Sequence, residues 1–194
     1  GKAMQEAVPV GKGSMLAILG TKITDIYDLL NSFKEKGVCE IANDNADGQV
    51  IVSGDKDSVV SFQSLLKEKK IKSIPLKVSA PFHCSLMKSA ADKMRDKIKN
   101  IYFGNPTHSI LSNVTAKIEK NPENIKKLLI DQIFSTVKWR ETIVNISNEG
   151  VSNFVEIGPG KVLTGMVKRT VKNAKCFSIN SVDDIKNLKN EFKK

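Results

Sequence analysis

The chain has 194 residues, 40% of them hydrophobic, and its 31 basic and 21 acidic residues give a formal net charge of +10. This length and composition predict one ordinary globular domain or two small ones, and no apolar run approaches the roughly 18 residues that span a bilayer. The positive charge favours an anionic partner without choosing among a nucleic acid, a phosphorylated cofactor and an acidic protein.

The chain begins with a helix-like stretch and then alternates between strands and helices. Residues 1–8 have the composition of the end of a helix, and the apolar run at 14–20 predicts a strand. Apolar residues then repeat at helical spacing through residues 24–37, which Thr21 or Thr24 can cap.

The same alternation continues to residue 78. Strands are predicted at 38–42 and 49–54, a helix capped by Asp55 at 56–70, and a strand at 71–78. The resulting order is βαββαβ, the ferredoxin-like arrangement, in which one sheet buries a face under two helices.

The rest of the chain predicts a parallel sheet covered by helices. The expected elements are a helix at 83–101, a strand at 109–114, helices at 121–134 and 139–150, a strand at 154–158, a helix at 161–169, a strand at 176–180 and a helix at 182–192. Three parallel strands are too few to cover the apolar surface of this layer, so we expect part of it to lie outside this chain.

The three cysteines, Cys39, Cys84 and Cys176, form no Cys-x-x-Cys pair. Their odd number and spacing are typical of a reducing compartment and argue against a disulfide framework or a thiolate metal site. We expect a cytoplasmic protein with three free thiols, no metal, no cofactor and no membrane partner.

Only two histidines can serve acid–base chemistry near neutral pH. His83, in SAPFHCSLM, lies where a strand ends and a helix begins, so its side chain is expected at the edge of a sheet, where clefts form. On position alone, a histidine hydrogen-bonded within its own turn is the more ordinary interpretation of His83. It is the only interpretation offered for His108.

Four separated segments, in the right order, resemble malonyl-CoA:acyl carrier protein transacylases. SAPFHCSLM resembles the family's histidine motif and VEIGPGKVLTGMVKR its C-terminal signature. MQEAVPVGKGSMLAILG resembles the stretch that enters its small subdomain, and NADGQVIVSG its central hairpin. The similarity is spread over nearly all of residues 1–181.

The resemblance implies a ping-pong transfer of malonyl from malonyl-CoA to the phosphopantetheine thiol of acyl carrier protein, in fatty acid biosynthesis. A serine takes the malonyl group, and a histidine activates that serine and then protonates the leaving thiol. His83 takes the histidine's place, and the main-chain carbonyl of Gln132 would orient its ring. The ordinary alternative for Gln132 is an exposed polar residue of a helix.

Phe82 and the glycine-rich turn allow two interpretations each. Phe82 beside the histidine implies a preference for malonyl over methylmalonyl, because its ring leaves little room for a methyl branch; alternatively it fills a junction between subdomains. Gly158 to Lys161 lies between a strand and a helix, where a tight turn is favoured over an anion site, and it lacks P-loop spacing.

The sequence departs from the family at the nucleophile. It contains no Gly-x-Ser-x-Gly elbow. In the family the serine, the oxyanion-hole donors and the arginine that pairs with the malonyl carboxylate precede the stretch that matches Gly1–Gln5. We therefore expect a fragment that is inactive alone and whose first partner is the N-terminal segment of the same enzyme.

The expected organisation follows from the same resemblance. Residues 1–9 end a helix of the large subdomain, residues 10–80 form the ferredoxin-like small subdomain, and residues 81–194 form the C-terminal part of an α/β-hydrolase-like subdomain. The anionic partners are malonyl-CoA and acyl carrier protein, and the expected carrier contacts are Lys70, Lys72 and Lys168.

Two other classes of protein compete with this interpretation. An RNA-recognition domain also combines βαββαβ order with basic charge, but strands 38–42 and 49–54 carry no aromatic residue for base stacking. We therefore expect no nucleic-acid partner. The remaining alternative is a catalytically inactive remnant that keeps a surface for binding acyl carrier protein.

Overall fold

The computed structural model describes residues 1–192 as two compact units, Gly1–Thr142 and a second that begins at Ile143. The helices are α1 (Lys2–Ala7), α2 (Ile23–Ser32), α3 (Lys56–Glu68), α4 (Lys88–Ile98), α5 (Pro122–Asp131), α6 (Trp139–Asn148), α7 (Val162–Thr170) and α8 (Val182–Glu191). The strands are β1 (Gly13–Leu19), β2 (Cys39–Ala46), β3 (Gln49–Asp55), β4 (Lys72–Pro75), β5 (Ile110–Leu111), β6 (Ile118–Glu119), β7 (Asn153–Ile157) and β8 (Lys175–Ile179). None of these helices is both long and apolar enough to cross a membrane.

The first unit is built around a four-stranded antiparallel sheet in the order β2-β3-β1-β4. Leu16 pairs with Val52 and Ile18 with Val50, so four apolar side chains lie on one face of the central strands. Phe62 of α3 packs into the same cluster. This burial explains why the predicted βαββαβ order is found.

Helix α2 is shorter than predicted and has a different N-terminus. Lys22, rather than Thr21 or Thr24, occupies its N-cap, and the Thr24 hydroxyl bonds to the neighbouring Asp25 carboxylate. The helix stops at Ser32, ahead of the predicted end at residue 37.

Asp55 stands at the N-cap of α3 but makes no side-chain bond to that helix. Its carboxylate instead accepts the Val38 N–H at 2.7 Å, while the Ser58 hydroxyl donates to the Lys36 carbonyl at 3.1 Å. The start of α3 therefore holds the loop that leads into β2.

Two predictions for residues 81–120 are wrong. The predicted helix at 83–101 begins later, because His83 has a left-handed φ of 59° that a helix excludes; a 3₁₀ turn at Ser85–Met87 precedes α4. The predicted strand at 109–114 shortens to β5, which pairs antiparallel with β6 as a separate hairpin. The expected three-strand parallel sheet is thus absent from the described residues, where β7 and β8 are the only two strands that pair in parallel.

The outer edge of β2 is covered by the segment 136–140. Asn43 forms a parallel bridge with Val137, whose N–H donates to the Ala42 carbonyl at 2.8 Å and whose carbonyl accepts the Asp44 N–H at 2.9 Å. The Thr136 hydroxyl donates to the Ile41 carbonyl at 2.6 Å. Strand β2 is therefore hydrogen-bonded on both edges, which removes an exposed strand edge.

The second unit contains the parallel pair β7–β8 with α7 and α8. Ser181 and Asp184 form a capping box that starts α8. Several large apolar side chains of this unit are exposed, including Val155, Ile157, Val162, Leu163 and Val182. A parallel sheet is ordinarily covered on both faces, so this exposure marks a surface able to pack against other structure.

An ion pair between the half-buried Arg140 and the buried Asp44 holds segment 136–140 against β2. The buried Asp44 carboxylate accepts from Arg140 Nε at 2.9 Å and lies 2.8 Å from Arg140 Nη2, and the hydrogen bond to Asp44 raises the pKa of the Arg140 guanidinium. We expect Asp44→Ala to lower the free energy of unfolding in urea by about 1–3 kcal/mol, because the guanidinium loses its charged acceptor.

The exposed Asp28 provides the matched control for this measurement. Asp28→Ala is expected to change the free energy of unfolding by no more than about 0.5 kcal/mol. Equal effects of the two substitutions would show that the Asp44–Arg140 pair does not stabilise the edge of β2.

Candidate active site

His83 lies in a tight turn that the core anchors on both sides. Pro81 and Cys84 are buried, the Phe82 N–H donates to the Ala80 carbonyl at 3.1 Å, and the Cys84 thiol donates to the Pro81 carbonyl at 3.2 Å. With its flanking residues fixed and φ in the left-handed region, His83 keeps its ring half-buried at the surface of the first unit.

The structure brings His83 together with the main chain of Gln132. His83 Nδ1 lies 2.9 Å from the Gln132 carbonyl oxygen. Gln132 is the C-cap of α5, and carbonyls at the end of a helix have no intrahelical partner, so this oxygen is free to accept. Because a carbonyl only accepts, Nδ1 carries the hydrogen of the neutral ring and Nε2 keeps its lone pair.

The Gln132 side chain takes a different part from its main chain. Its Oε1 accepts from Asn113 Nδ2 at 3.3 Å, so the residue is half-buried and held at both its backbone and its side chain. It is therefore not the exposed polar helix residue that its position also allowed.

The His83 ring lines an open cleft of about 520 Å³. The rest of the lining comes from three parts of the chain: Tyr27, Leu30 and Asn31 of α2, residues 39–41 of β2, and residues 134–136. The volume is in the range of small-molecule sites in proteins. The arrangement places a ring nitrogen able to accept a proton in a cleft that a ligand can reach.

Glu40 and Ser85 belong to this site although the sequence analysis did not select them. Glu40 Oε1 accepts from the Ser85 hydroxyl at 2.6 Å and Oε2 accepts from the Ser85 N–H at 2.8 Å. The available signals were a carboxylate inside the otherwise apolar strand VCEIA and a serine two residues after His83. Neither feature of the sequence indicates that the Glu40 and Ser85 side chains are in contact.

The other predicted site residues lie apart from the cleft lining. Phe82 is half-buried next to His83 in the chain, but its ring is not among the side chains that line the cleft. Lys70 and Lys72 are exposed where α3 leads into β4, and Lys168 is exposed on α7 of the second unit. His108 is exposed in the loop before β5.

The Gly158–Lys161 segment is a turn. Gly158 and Gly160 have φ values of 135° and 95°, which favour glycine. The first amides of α7 are already occupied, since Glu156 accepts from the N–H groups of Leu163 at 3.1 Å and Thr164 at 2.8 Å. These bonds, that from Thr164 foremost, lower the pKa of Glu156, so its carboxylate takes the place an external anion would need.

The three thiols are free, as the sequence predicts, and are poor nucleophiles. Burial, followed by the neighbouring Cys84 and Glu40, raises the pKa of Cys39 to about 12, and burial raises the pKa of Cys84 and of Cys176. A thiol with a raised pKa stays protonated at neutral pH, so His83 has no thiolate partner in this cleft.

We expect iodoacetamide at pH 8 to alkylate Cys39 in the folded chain at least roughly tenfold more slowly than in the chain unfolded in guanidinium, because only the thiolate attacks. The folded-state rate should rise with pH, since Cys39 ionises only near its raised pKa. Mass spectrometry of the adducts measures both rates. Equal rates in the two states would contradict the burial of this thiol.

The sequence of this chain matches a family of known proteins. Residues 3–192 match the family model described as an acyl transferase domain. The malonyl CoA-acyl carrier protein transacylase of Haemophilus influenzae is 40% identical over 183 residues, which are 94% of this chain and 59% of that protein. This chain therefore spans less than two thirds of the length of that relative.

Solved structures agree with the sequence match. An acyl carrier protein S-malonyltransferase from Vibrio cholerae superposes with a TM-score of 0.93 at 38% identity, covering 96% of this chain and 61% of that one. A malonyl-transacylase in complex with a type II polyketide synthase acyl-carrier protein gives 0.92 at 38% identity, covering 97% and 62%. The expected resemblance is confirmed, and because the family model covers nearly its whole length, the chain belongs to the acyl transferase domain family.

Proposed function

We propose that this chain is the histidine-bearing part of a malonyl-CoA:acyl carrier protein transacylase of fatty acid biosynthesis. The observation that carries the proposal is the 2.9 Å contact between His83 Nδ1 and the Gln132 main-chain oxygen, beside an open cleft. The names of the relatives in Haemophilus and Vibrio support malonyl as the transferred group.

His83 acts as the general base and acid of a ping-pong transfer. A serine hydroxyl supplied by the part of the enzyme outside this chain attacks the thioester carbonyl of malonyl-CoA, and His83 Nε2 takes the hydroxyl proton. As the tetrahedral intermediate collapses, the C–S bond breaks and the proton passes to the coenzyme A sulfur. The carrier thiol then attacks the malonyl-serine ester, and the same proton transfers run through Nε2 until the serine is restored.

Gln132 contributes to this cycle through its carbonyl dipole. The hydrogen bond at Nδ1 keeps Nε2 unprotonated and directs it away from Gln132, which is the role that a carboxylate fills in a serine–histidine–aspartate triad. Phe82 stays in the proposal as the residue that would disfavour a branched acyl group on the resemblance of its motif alone, since its ring does not line the cleft of this chain.

The proposed organisation follows the observed topology. The antiparallel order β2-β3-β1-β4 supports a ferredoxin-like subdomain at residues 10–80. The parallel pair β7–β8 supports an α/β-hydrolase-like subdomain to which residues 81–194 and the helix end at 1–9 belong. The exposed apolar side chains of the second unit suit a surface that packs against the rest of the enzyme, and the free thiols suit the cytoplasm.

The function is tested by fusing this chain to the N-terminal portion of the Haemophilus relative that it does not cover. A fusion with a cooperative thermal transition is expected to transfer malonyl to carrier protein, and His83→Ala should lower kcat by about 10²–10⁴-fold. The exposed His108 provides the control, since His108→Ala should leave kcat unchanged. The 194-residue chain alone should transfer none.

Each outcome of this experiment has a distinct meaning. A folded fusion without transfer would overturn the proposed function, and an active His83→Ala variant would overturn the proposed base. Binding of carrier protein by the isolated chain, together with an inactive folded fusion, would favour the carrier-binding remnant. If the Haemophilus fusion does not fold, the Vibrio protein supplies the N-terminal portion instead.

The proposed carrier contacts rest on charge and exposure. Reversing Lys70, Lys72 and Lys168 to Glu in the fusion should slow association with carrier protein about tenfold at low salt, because these charges steer an acidic partner. Hydrolysis of malonyl-CoA should not change. The control with an equal change in net charge reverses three other exposed lysines, Lys97, Lys120 and Lys189. Equal association rates for the two triple variants would rule these contacts out.

A further inference from the structure

Strand β2 contacts the chain just after His83 and also just after Gln132. Glu40 binds Ser85, two residues beyond the histidine. The next residue of the strand, Ile41, accepts from the Thr136 hydroxyl, four residues beyond Gln132. One strand therefore fixes the spacing between the ring and the carbonyl that accepts from it.

In the contact between His83 Nδ1 and the Gln132 carbonyl, the carbonyl is kept in position by bonds that do not involve Glu40. The Ile133 and Phe134 N–H groups donate to the Ile130 and Asp131 carbonyls at 3.1 and 3.2 Å, so the chain beyond α5 continues as tight turns. The Thr136 hydroxyl and the Val137 backbone then bond to β2. The Gln132 side chain adds its bond to Asn113, and none of these bonds involves the Glu40 carboxylate.

On the His83 side, the buried Pro81 and Cys84 anchor the turn, and one charged side chain, Glu40, adds two bonds to it. The 3₁₀ turn after His83 has Cys84 at its N-cap, with no side-chain capping bond, and His83 itself is in the left-handed region. The first amide of that turn, from Ser85, is satisfied by Glu40, and the second oxygen of the same carboxylate takes the Ser85 hydroxyl. A charged acceptor makes stronger bonds than a neutral one, so Glu40 supplies the cap that the local sequence lacks.

We propose that Glu40 is a positioning residue: through its two hydrogen bonds to Ser85 it holds the His83 turn so that Nδ1–H meets the Gln132 carbonyl and Nε2 faces the cleft. The importance of Glu40 for catalysis rests on the proposed function. The geometry itself concerns only the ring and its tautomer, which are measurable without acyl transfer.

The chain is well suited to this measurement because it contains two histidines. In ¹⁵N-labelled protein, at a pH where both rings are neutral, imidazole nitrogen shifts give the ratio of Nδ1–H to Nε2–H tautomers for each ring. His83 should be mainly Nδ1–H, because its Nδ1 meets an acceptor. The exposed His108 serves as the internal reference within the same sample.

Three test substitutions and one control separate the effect of hydrogen bonding on the His83 tautomer from those of charge and of general stability. Glu40→Ala should lower the Nδ1–H to Nε2–H ratio of His83 by roughly tenfold, since it removes two charge-assisted bonds. Glu40→Gln keeps an acceptor for the Ser85 N–H and should stay within about twofold of the wild type. Ser85→Ala removes only the hydroxyl bond and should fall between them. Glu35→Ala, at an exposed carboxylate, is the matched control and should have no effect.

The outcomes distinguish the inference from the proposed function. The inference is overturned if Glu40→Ala and Ser85→Ala, in protein that circular dichroism shows to be folded, both leave the His83 ratio unchanged. It is also overturned if Glu40→Gln changes the ratio as much as Glu40→Ala, since the carboxylate would then act through charge alone. A wild-type His83 with the ratio of His108 overturns it as well. If the ratios change as expected but the folded fusion transfers no malonyl, the proposed function fails and the positioning role stands.

Discussion

The pairing of strand β2 along both edges is the constraint on which the site depends. On one edge β2 belongs to the antiparallel sheet of the first unit, and on the other it bonds to segment 136–140. A strand presents its groups at a fixed spacing of roughly 3.3 Å per residue. Two successive residues of β2 therefore bond to Ser85 and Thr136, and beside these bonds His83 contacts Gln132, 49 positions away in sequence.

The acceptor for His83 is a main-chain carbonyl rather than a carboxylate. A carbonyl fixes the tautomer but carries no net charge, so the electrostatic stabilisation of a protonated ring is smaller than an ion pair would give. The acceptor is also independent of side-chain identity, because any residue at position 132 supplies a carbonyl. The Gln132 side chain affects the site only through its bond to Asn113.

The sequence predicted the elements whose periodicity was set by burial, and missed the contacts that depend on tertiary structure. The βαββαβ order is found because the apolar run of β1, the apolar residues of β3 and the helical stripe of α3 are buried together in one core. The helix predicted from His83 was wrong because a left-handed residue is not visible in apolar spacing. The strand predicted at 109–114 is instead the short strand β5 of a hairpin. Its partner β6 has only two residues, too few to show a repeating apolar pattern in the sequence. Glu40 was missed because its partner Ser85 lies 45 residues away.

At His83, the left-handed backbone lowers the stability of the fold, while the side chain is the one required for the proposed acid–base chemistry. A φ of 59° costs most residues other than glycine about 1 kcal/mol or more, although histidine, like asparagine, is found in this region more often than most side chains. Selection for an unstrained backbone alone would thus favour glycine in place of His83, and would remove the proposed base. The histidine is kept only where its chemistry outweighs that gain, so a chain freed from catalysis is expected to lose this residue early.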